Sequence, residues 1–228
     1  VGGMSEGSAE PWLLLTNDDG VDSPALPLLL GELSAIACVR AVVPAAECSW
    51  AGKVMSRFAV LEATPRGGVA PQVHSVNGSP ADCANLGIHS LFATPPRLVV
   101  CGVNLGTNAG LAFLLSSGTV AAAIEAALAG VPAAAFSAAL DAEDYGQWRR
   151  QRTLSARAHE QLRTSAKIAG QIVAELLRGG LPGDASLLTV NLPLEVRLDS
   201  PRCLARLTVT DYGPFFARDA QGRFAHRY

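Results

Sequence analysis

Short apolar runs alternate with helical patterns along most of this chain, and this alternation restricts the folds that it can adopt. The apolar runs of strand length lie at residues 12–16, 39–43, 98–103, 131–136 and 187–191. Helical patterns cover residues 24–37, 79–91, 118–129 and about 153–178. Strands that alternate with helices form βαβ units around a shared sheet. The pattern therefore predicts an α/β fold with a mainly parallel sheet.

Three segments do not follow this alternation. Residues 58–63 and 72–76, on either side of a stretch rich in proline and glycine, indicate a hairpin outside the core. Residues 44–56 form a loop of small and polar residues that is too long for a plain connection, which favours a functional role. Residues 211–228 carry turn residues and aromatic side chains without a core pattern of their own. We therefore expect one domain over residues 11–210 and a C-terminal arm over residues 211–228.

The composition excludes several classes of function. Charged residues make up 17% of the 228 residues, the net charge is −2, and there is no run of lysine and arginine, which disfavours binding to nucleic-acid polymers. No apolar run reaches the roughly 18 residues that a membrane-spanning helix needs. The odd number of cysteines, without CxxC spacing, is typical of a reduced compartment. These features predict a cytoplasmic protein that does not bind a membrane.

Two adjacent carboxylates directly follow the first apolar run, in the sequence LLLTNDDGVDSP. Asp18 and Asp19 would lie at the carboxyl end of a buried parallel strand, which is the edge where open α/β sheets bind ligands. Gly20 can adopt a positive φ, and only a turn there would bring both carboxylates near one ion. Taken alone, the motif is more often a turn with two solvated acids.

Further segments place polar residues at the same edge, after a strand or at the start of a helix. They carry Ser49, Asn104, Asn108, Ser117, Gly118 and Thr119. Individually, asparagines among glycines are ordinary turn formers, and Ser-Gly-Thr is an ordinary helix cap. Jointly, carboxylate, amide and hydroxyl oxygens are the ligands that Mg²⁺, Mn²⁺ or Ca²⁺ prefer, whereas Zn²⁺ and copper prefer others. The helix start adds N–H and hydroxyl donors for an anion, so the set predicts a site for a phosphate ester.

Other catalytic arrangements fit the sequence poorly. The histidines form no pair at metal-ligand spacing, and neither a G-x-S-x-G elbow nor a P-loop occurs. A phosphatase of the haloacid dehalogenase type would need a carboxylate nucleophile at the position of Asn17, and an amide cannot serve as one.

The motifs NDDGV, GSPADC, GVNLGTNAG and SGTVAAAIE occur in the order and at close to the spacing of a known family. On these motifs the chain resembles the SurE survival-protein family, which are metal-dependent nucleoside-monophosphate phosphatases of the 5′/3′-nucleotidase type. The resemblance is strong over residues 13–137 and weaker beyond them. It implies a three-layer Rossmann-like fold and hydrolysis of nucleoside 5′-monophosphates, and of 3′-monophosphates as a further possibility.

The resemblance also implies the roles of individual residues. Asp18 and Asp19 would be catalytic and would bind a divalent cation (Mg²⁺ or Mn²⁺, with Ca²⁺ as a further candidate), together with Ser49 and Asn104. Contacts to the phosphate would come from a set around the helix start, namely Asn108, Ser117, Gly118 and Thr119. Family members exchange a C-terminal arm between subunits, so the resemblance implies a homodimer or homotetramer in which residues from about 211 contact the partner.

The chain departs from the family in the loop over residues 44–56. Ala45 and Ala46 stand where an acidic and a basic residue are expected, which puts substrate contacts from this loop in doubt. Lys53 or Arg57 could substitute, and we expect a mobile loop and a high KM. Three hypotheses follow: a nucleotidase, a broad-specificity acid phosphomonoesterase, and a nucleotide- or metal-binding homologue with weakened catalysis.

Overall fold

The computed structural model describes residues 11–67, 72–211 and 213–226. The strands are β1 (Trp12–Thr16), β2 (Cys38–Pro44), β3 (Ala63–Pro65), β4 (Val73–Val76), β5 (Leu98–Leu105), β6 (Ala133–Ala138), β7 (Leu187–Leu192), β8 (Phe216–Arg218) and β9 (Phe224–His226). The helices are α1 (Ala25–Ser34), α2 (Pro80–His89), α3 (Leu111–Ser116), α4 (Gly118–Leu128), α5 (Ala142–Gln151) and α6 (Ala156–Gly179).

A seven-stranded sheet with the order β3-β4-β2-β1-β5-β6-β7 forms the centre of the domain. All neighbouring pairs are parallel except β3 and β4. The chain moves outward from β1 through β2 to β4, and then returns to the other side of β1 with β5. This is the doubly wound arrangement, and its switch point lies between β1 and β5. The predicted α/β fold with a mainly parallel sheet is therefore confirmed.

Helices cover both faces of the sheet, because alternate residues of each strand point in opposite directions. On one face, Leu13 and Leu15 of β1 pack in a core shared with α1 and α6. On the other face, Leu14 packs with residues of α2 and α4. Since both faces are covered, all five residues of β1 are buried, as is usual for a central parallel strand. The result is the three-layer arrangement that the resemblance implies.

Some sequence-based assignments were wrong. The predicted hairpin exists, but its first strand is β3 and not residues 58–63, and β4 pairs with β2 inside the central sheet. The stretch between β3 and β4 is rich in proline and glycine, and from this we did not expect Val73 and Val76 to be buried. The strand predicted at residues 131–136 is β6, which begins at Ala133. Helices α3 and α5 were not predicted; α5 is polar and buries only Asp144 and Trp148, so its periodicity is weak.

The C-terminal region contributes a separate two-stranded sheet. Strands β8 and β9 pair antiparallel, and the ring centroids of Phe215 and His226 lie 5.0 and 5.4 Å from that of Trp50. Upstream of this hairpin, the amide of Leu111 donates to the carbonyl of Thr208 at 2.9 Å. The predicted arm aromatics Tyr212 and Tyr228 lie outside the described residues. None of the helices within the described ranges has both the length and the apolar character needed to cross a bilayer.

Candidate functional site

The turn after β1 brings both aspartates to one side of the strand end. The side chain of Asn17 accepts from the amide of Gly20 at 3.2 Å and donates to the carbonyl of Gly20 at 2.9 Å. Gly20 has φ 85°, and a Cβ there would lie 2.9 Å from the carbonyl carbon of Ala46. Glycine is therefore required both for the turn and for the close approach of the following loop.

Asp18 is fixed by the start of α4. Its Oδ1 accepts a hydrogen bond from the hydroxyl of Thr119, and the residue is 4% exposed. A Cβ on Gly118 would lie 2.7 Å from the Cβ of Asp18, so only glycine permits this contact. The hydroxyl of Ser117 caps the helix by accepting from the amide of Val120 at 3.1 Å. The positive end of the helix dipole therefore faces the Asp18 carboxylate.

Asp19 is fixed by the neighbouring strand across the switch point. Its Oδ2 accepts from the amide of Leu105 at 3.2 Å, and the residue is 7% exposed. Asn104 precedes Leu105 at the same strand end. Its Nδ2 donates to the carbonyl of Gly106 at 2.8 Å, which orients its Oδ1 away from Gly106. An amide oxygen and two carboxylates thus lie at the ends of β1 and β5.

Both carboxyl groups have raised pKa values. Burial raises the pKa of Asp18 to about 6. Burial and the charge of Asp18 together hold the pKa of Asp19 well above its usual range. Among the residues that the structure describes, the ion pairs include neither aspartate. Two buried carboxylates without a directly paired cation form a site that a divalent ion would neutralise.

The donor types decide which ions fit. Within the described ranges, there is no group of three or more His, Cys, Asp or Glu residues that could hold a metal ion. A cation at Asp18 and Asp19 would therefore take its remaining ligands from amide, hydroxyl or water oxygens. Oxygen ligands of this kind are those that Mg²⁺, Mn²⁺ and Ca²⁺ prefer.

Ser49 lies in the loop that passes over the aspartates. The amide of Cys48 donates to the backbone carbonyl of Asp18 at 2.7 Å, so the loop is attached next to the site. The hydroxyl of Ser49 is exposed and donates to Oε1 of Glu47 at 2.8 Å. In the described part of the chain, no hydrogen bond joins Ser49 to Asp18 or Asp19. Ser49 is therefore near the site but is not directed to the aspartates as they stand.

Side chains hold the far end of this loop. The Asp82 carboxylate accepts from the amide and the hydroxyl of Ser56 at 3.0 and 2.6 Å. Lys53 forms an ion pair with Glu125 of α4 at 2.7 Å, and the amide of Gly52 donates to the carbonyl of Ser116 at 2.9 Å. These contacts were not foreseen from the sequence. The expected mobility of the loop stays a prediction.

Asn108 is positioned by two strands of the other half of the sheet. Its Nδ2 donates to the hydroxyl of Ser137 on β6 at 2.8 Å, and its backbone amide donates to Oδ1 of Asn191 on β7 at 2.8 Å. Asn108 is buried at the same sheet edge as the aspartates, and no hydrogen bond within the described residues joins it to them. Ser137 and Asn191 had not been assigned a role in the sequence analysis.

A pocket of about 160 Å³ opens beside Asp19, on the side of α5. The described residues lining it are Asp19, Val21, Asp22, Ala45, Ala46, Glu47, Trp148 and Arg152. Nη1 of Arg152 lies 2.6 Å from Oε2 of Glu47, and its guanidinium lies 5.1 Å from the ring centre of Trp148. The loop side of the pocket is formed by Ala45, Ala46 and Glu47, and the pocket joins Asp19 to Arg152.

The structure thus brings together Asp18, Gly118 and Thr119 by direct contact, with Asp19 and Asn104 at the adjoining strand end. Sequence reasoning missed Asn17, although an asparagine three residues before a glycine is a recognisable turn signal. It also missed Glu47 and Arg152. No local signal identifies this pair, since their contact joins residues that are 105 positions apart.

The chain matches the family model described as Survival protein SurE over residues 13–214. The chain belongs to the SurE family. Among solved structures, the crystal structure of the SurE protein from Aquifex aeolicus is similar, with a TM-score of 0.74 and 29% sequence identity. The similarity covers 95% of this chain and 81% of that chain, which supports the SurE-like fold predicted from the motifs.

Relatives within the SurE family include proteins named 5′-nucleotidase SurE. That of Geobacter sulfurreducens is 38% identical over 181 residues, which are 79% of this chain and 62% of the relative. That of Methanoculleus marisnigri is 36% identical over 188 residues, which are 82% of this chain and 69% of the relative. The chain therefore spans about two thirds of the length of these SurE relatives.

Proposed function

We propose that this protein is a divalent-metal-dependent phosphatase that hydrolyses nucleoside 5′-monophosphates to nucleoside and phosphate. The observation that carries the proposal is a pair of buried carboxylates, without a directly paired cation in the described chain, at the switch point of the sheet and against the start of α4. The name 5′-nucleotidase borne by the relatives supports the choice of substrate. Hydrolysis of nucleoside 3′-monophosphates is a further part of the proposal.

Asp18, Asp19, Ser49 and Asn104 would hold the cation, which we expect to be Mg²⁺ or Mn²⁺, with Ca²⁺ as an alternative. Such an ion polarises a phosphoryl oxygen and makes a bound water nucleophilic near neutral pH. The protein fixes the carboxylates for this role. The hydroxyl of Thr119 holds one oxygen of Asp18, and the amide of Leu105 holds one oxygen of Asp19.

The phosphate would lie at the start of α4. Backbone N–H groups in the first turn of a helix lack partners within the helix, and the helix dipole favours an anion there. Gly118 and Thr119 form the start of α4 beside Asp18, and Ser117 is the N-cap residue of this helix. The side-chain amide of Asn108, which uses one of its two N–H groups for Ser137, would provide a further donor from the other side of the sheet edge. One of the two aspartates would accept the proton of the attacking water.

We also propose a homodimer or homotetramer in the cytoplasm, with residues from about 211 in the subunit contact. The exposed aromatic side chains of Phe216 and Phe224 support an association surface. Light scattering on the full chain and on a chain cut after residue 210 tests this. We expect the full chain to form a dimer or a larger assembly and the shortened chain to form a smaller species. A full-length monomer, or an assembly that the cut leaves unchanged, would remove the arm from the proposal.

The catalytic proposal is tested by release of phosphate from AMP and from p-nitrophenyl phosphate. We expect activity with Mn²⁺ or Mg²⁺ and none in excess EDTA. Asp19→Asn should reduce the phosphatase activity more than about 100-fold. Replacing a residue that only supports a metal ligand already reduces activity about 10–100-fold. Asp184→Asn is the matched control, since Asp184 is exposed and remote from the site in sequence and fold.

Three other results would change the assignment. Full activity in EDTA would refute metal dependence, and restoration by Zn²⁺ alone would refute the oxygen-ligand interpretation. Equal rates on both substrates would indicate a broad phosphomonoesterase. Metal or nucleotide binding without turnover would indicate a homologue with weakened catalysis.

A further inference from the structure

The charges around the pocket beside Asp19 are unbalanced. Three of the described residues that line it are acidic, namely Asp19, Asp22 and Glu47, whereas Arg152 alone is basic. A phosphate monoester near neutral pH carries up to two negative charges. A divalent ion held by Asp18 and Asp19 would offset the charge of those two carboxylates only. An approaching phosphate would still face Asp22 and Glu47, so a further cation is needed.

The basic residues of the neighbouring loop do not line this pocket. Lys53 is paired with Glu125, and the guanidinium of Arg57 lies 5.2 Å from the ring centre of Phe58. Arg152 differs from both, because it lines the same pocket as Asp19. The charge of Arg152 also acts on Asp19, where it opposes the rise in pKa that burial causes. Arg152 is therefore the cation placed to meet a ligand of that carboxylate.

The guanidinium of Arg152 can take a second partner. Its contact with Glu47 uses Nη1, and a guanidinium has five N–H donors, so further donors remain for oxygens in the same plane. The guanidinium lies over the ring of Trp148, 5.1 Å from its centre, and the edge of the guanidinium carries the donors. The side chain is 52% exposed, and it extends from the residue that follows α5, where the chain leaves the helix. The adjoining loop wall is formed by Ala45, Ala46 and Glu47 itself.

We propose that Arg152 is a substrate-contacting residue whose guanidinium binds the phosphoryl oxygens of the monoester, with Glu47 as the competing anion that holds it between turnovers. This inference rests on the proposed phosphatase function. It assigns to α5 a binding role that its sequence did not indicate. Glu47 then restrains Arg152 in the free enzyme and lowers the affinity for the substrate.

The two members of the pair give opposite effects in kinetic assays. Arg152→Gln should raise KM for AMP and for p-nitrophenyl phosphate about 10- to 100-fold, because a hydrogen bond to a charged group is lost. It should raise the inhibition constant of inorganic phosphate by a similar factor. Arg152→Lys should restore only part of the affinity, since an ammonium cannot make the planar paired contact. Glu47→Gln should lower KM, because it removes the anion that competes with the phosphate for Arg152.

Arg150→Gln is the control, since it removes the same charge from α5 at an exposed position outside the pocket; it should leave KM and the phosphate inhibition constant unchanged. If the Arg152–Glu47 pair were only structural, Arg152→Gln and Glu47→Gln would impair the enzyme alike, and this would overturn the proposal. An unchanged phosphate inhibition constant in Arg152→Gln would also overturn it. If the wild-type protein itself released no phosphate with Mn²⁺, the proposed function would fail first, before any variant is compared.

Discussion

On the side of β1 and α4, the polar groups of the site are buried, whereas on the side of residues 45–56 they are more exposed. Asp18 and Asp19 contact the start of a helix and the amide of a neighbouring strand. The Glu47 carboxylate accepts from the hydroxyl of Ser49 and from the guanidinium of Arg152. We therefore expect the sheet edge to determine where chemistry takes place, and the loop to determine what enters and how tightly it binds.

The comparison of the two sides predicts the largest loss of turnover for Gly118→Ala. The added Cβ would lie 2.7 Å from the Cβ of Asp18 and 3.0 Å from Cγ of Pro80, so the helix start or the aspartate must shift. A displacement of this kind can reduce turnover about 100-fold or more. Gly31→Ala is the control, because nothing lies within 4 Å of its Cβ position. It should keep full activity and gain a little stability within α1. Equal activity of the two variants would contradict the tight contact at Asp18.

The next effect concerns the hydroxyl that holds Asp18. Thr119→Val keeps the shape of a buried side chain but removes the donor to Oδ1. We expect a reduction of about 10- to 100-fold in the affinity for Mn²⁺, measured from the dependence of activity on metal concentration. Thr119→Ser keeps the hydroxyl and should stay close to the wild type. If both variants behaved alike, the hydroxyl would have no part in positioning Asp18.

Loop contacts should affect stability more than turnover. Although burial raises the pKa of Asp82, the hydrogen bonds from Ser56 and Ser79 outweigh it and hold that pKa below its usual value of 3.8. A group with a lowered folded pKa stabilises the protein above its unfolded pKa, and this contribution is lost as the pH falls below about 3.8 towards the folded value. Asp82→Asn should lower the free energy of unfolding by about 1–3 kcal/mol at pH 7.

Urea unfolding of the wild type and of Asp82→Asn at a series of pH values measures this difference. It should be nearly constant from pH 7 to about pH 5 and should shrink in stronger acid. If the difference in unfolding free energy between the wild type and Asp82→Asn grew as the pH fell, the pKa of Asp82 could not be lowered in the folded protein. The turnover number at pH 7 should change less than it does in Gly118→Ala.

The smallest effect is expected at the ion pair between the loop and α4. Lys53 is about one third exposed, and its pair with Glu125 is of the kind that contributes about 0.2–1 kcal/mol. Lys53→Met should therefore change stability by less than 1 kcal/mol and leave kcat unchanged, as thermal unfolding and steady-state kinetics would measure. A loss of kcat comparable with that of Gly118→Ala would contradict the proposed distinction between the two sides of the site.

The two sides of the site also differ in how well they could be predicted from the sequence. Asp18, Asp19 and the start of α4 follow apolar runs or begin a helix, so local pattern together with the rule for parallel sheets places them at one edge. The same local pattern failed at β4, where burial depends on pairing with β2. It also failed at Arg152, whose neighbours come from a loop far away in the chain. Backbone topology is visible in local periodicity, whereas contacts between distant side chains are not.

The position of β1 has a consequence for local unfolding. This strand pairs on both sides, with β2 and β5, and all its residues are buried. In such a strand, amide protons exchange with solvent only when most of the domain opens, whereas exposed loops open at little cost in free energy. We expect the aspartates to follow the segment of slowest exchange and residues 45–56 to open separately. The loop would then exchange between conformations many times while the carboxylates stay in place, and hydrogen-exchange rates in the two segments would record this division directly.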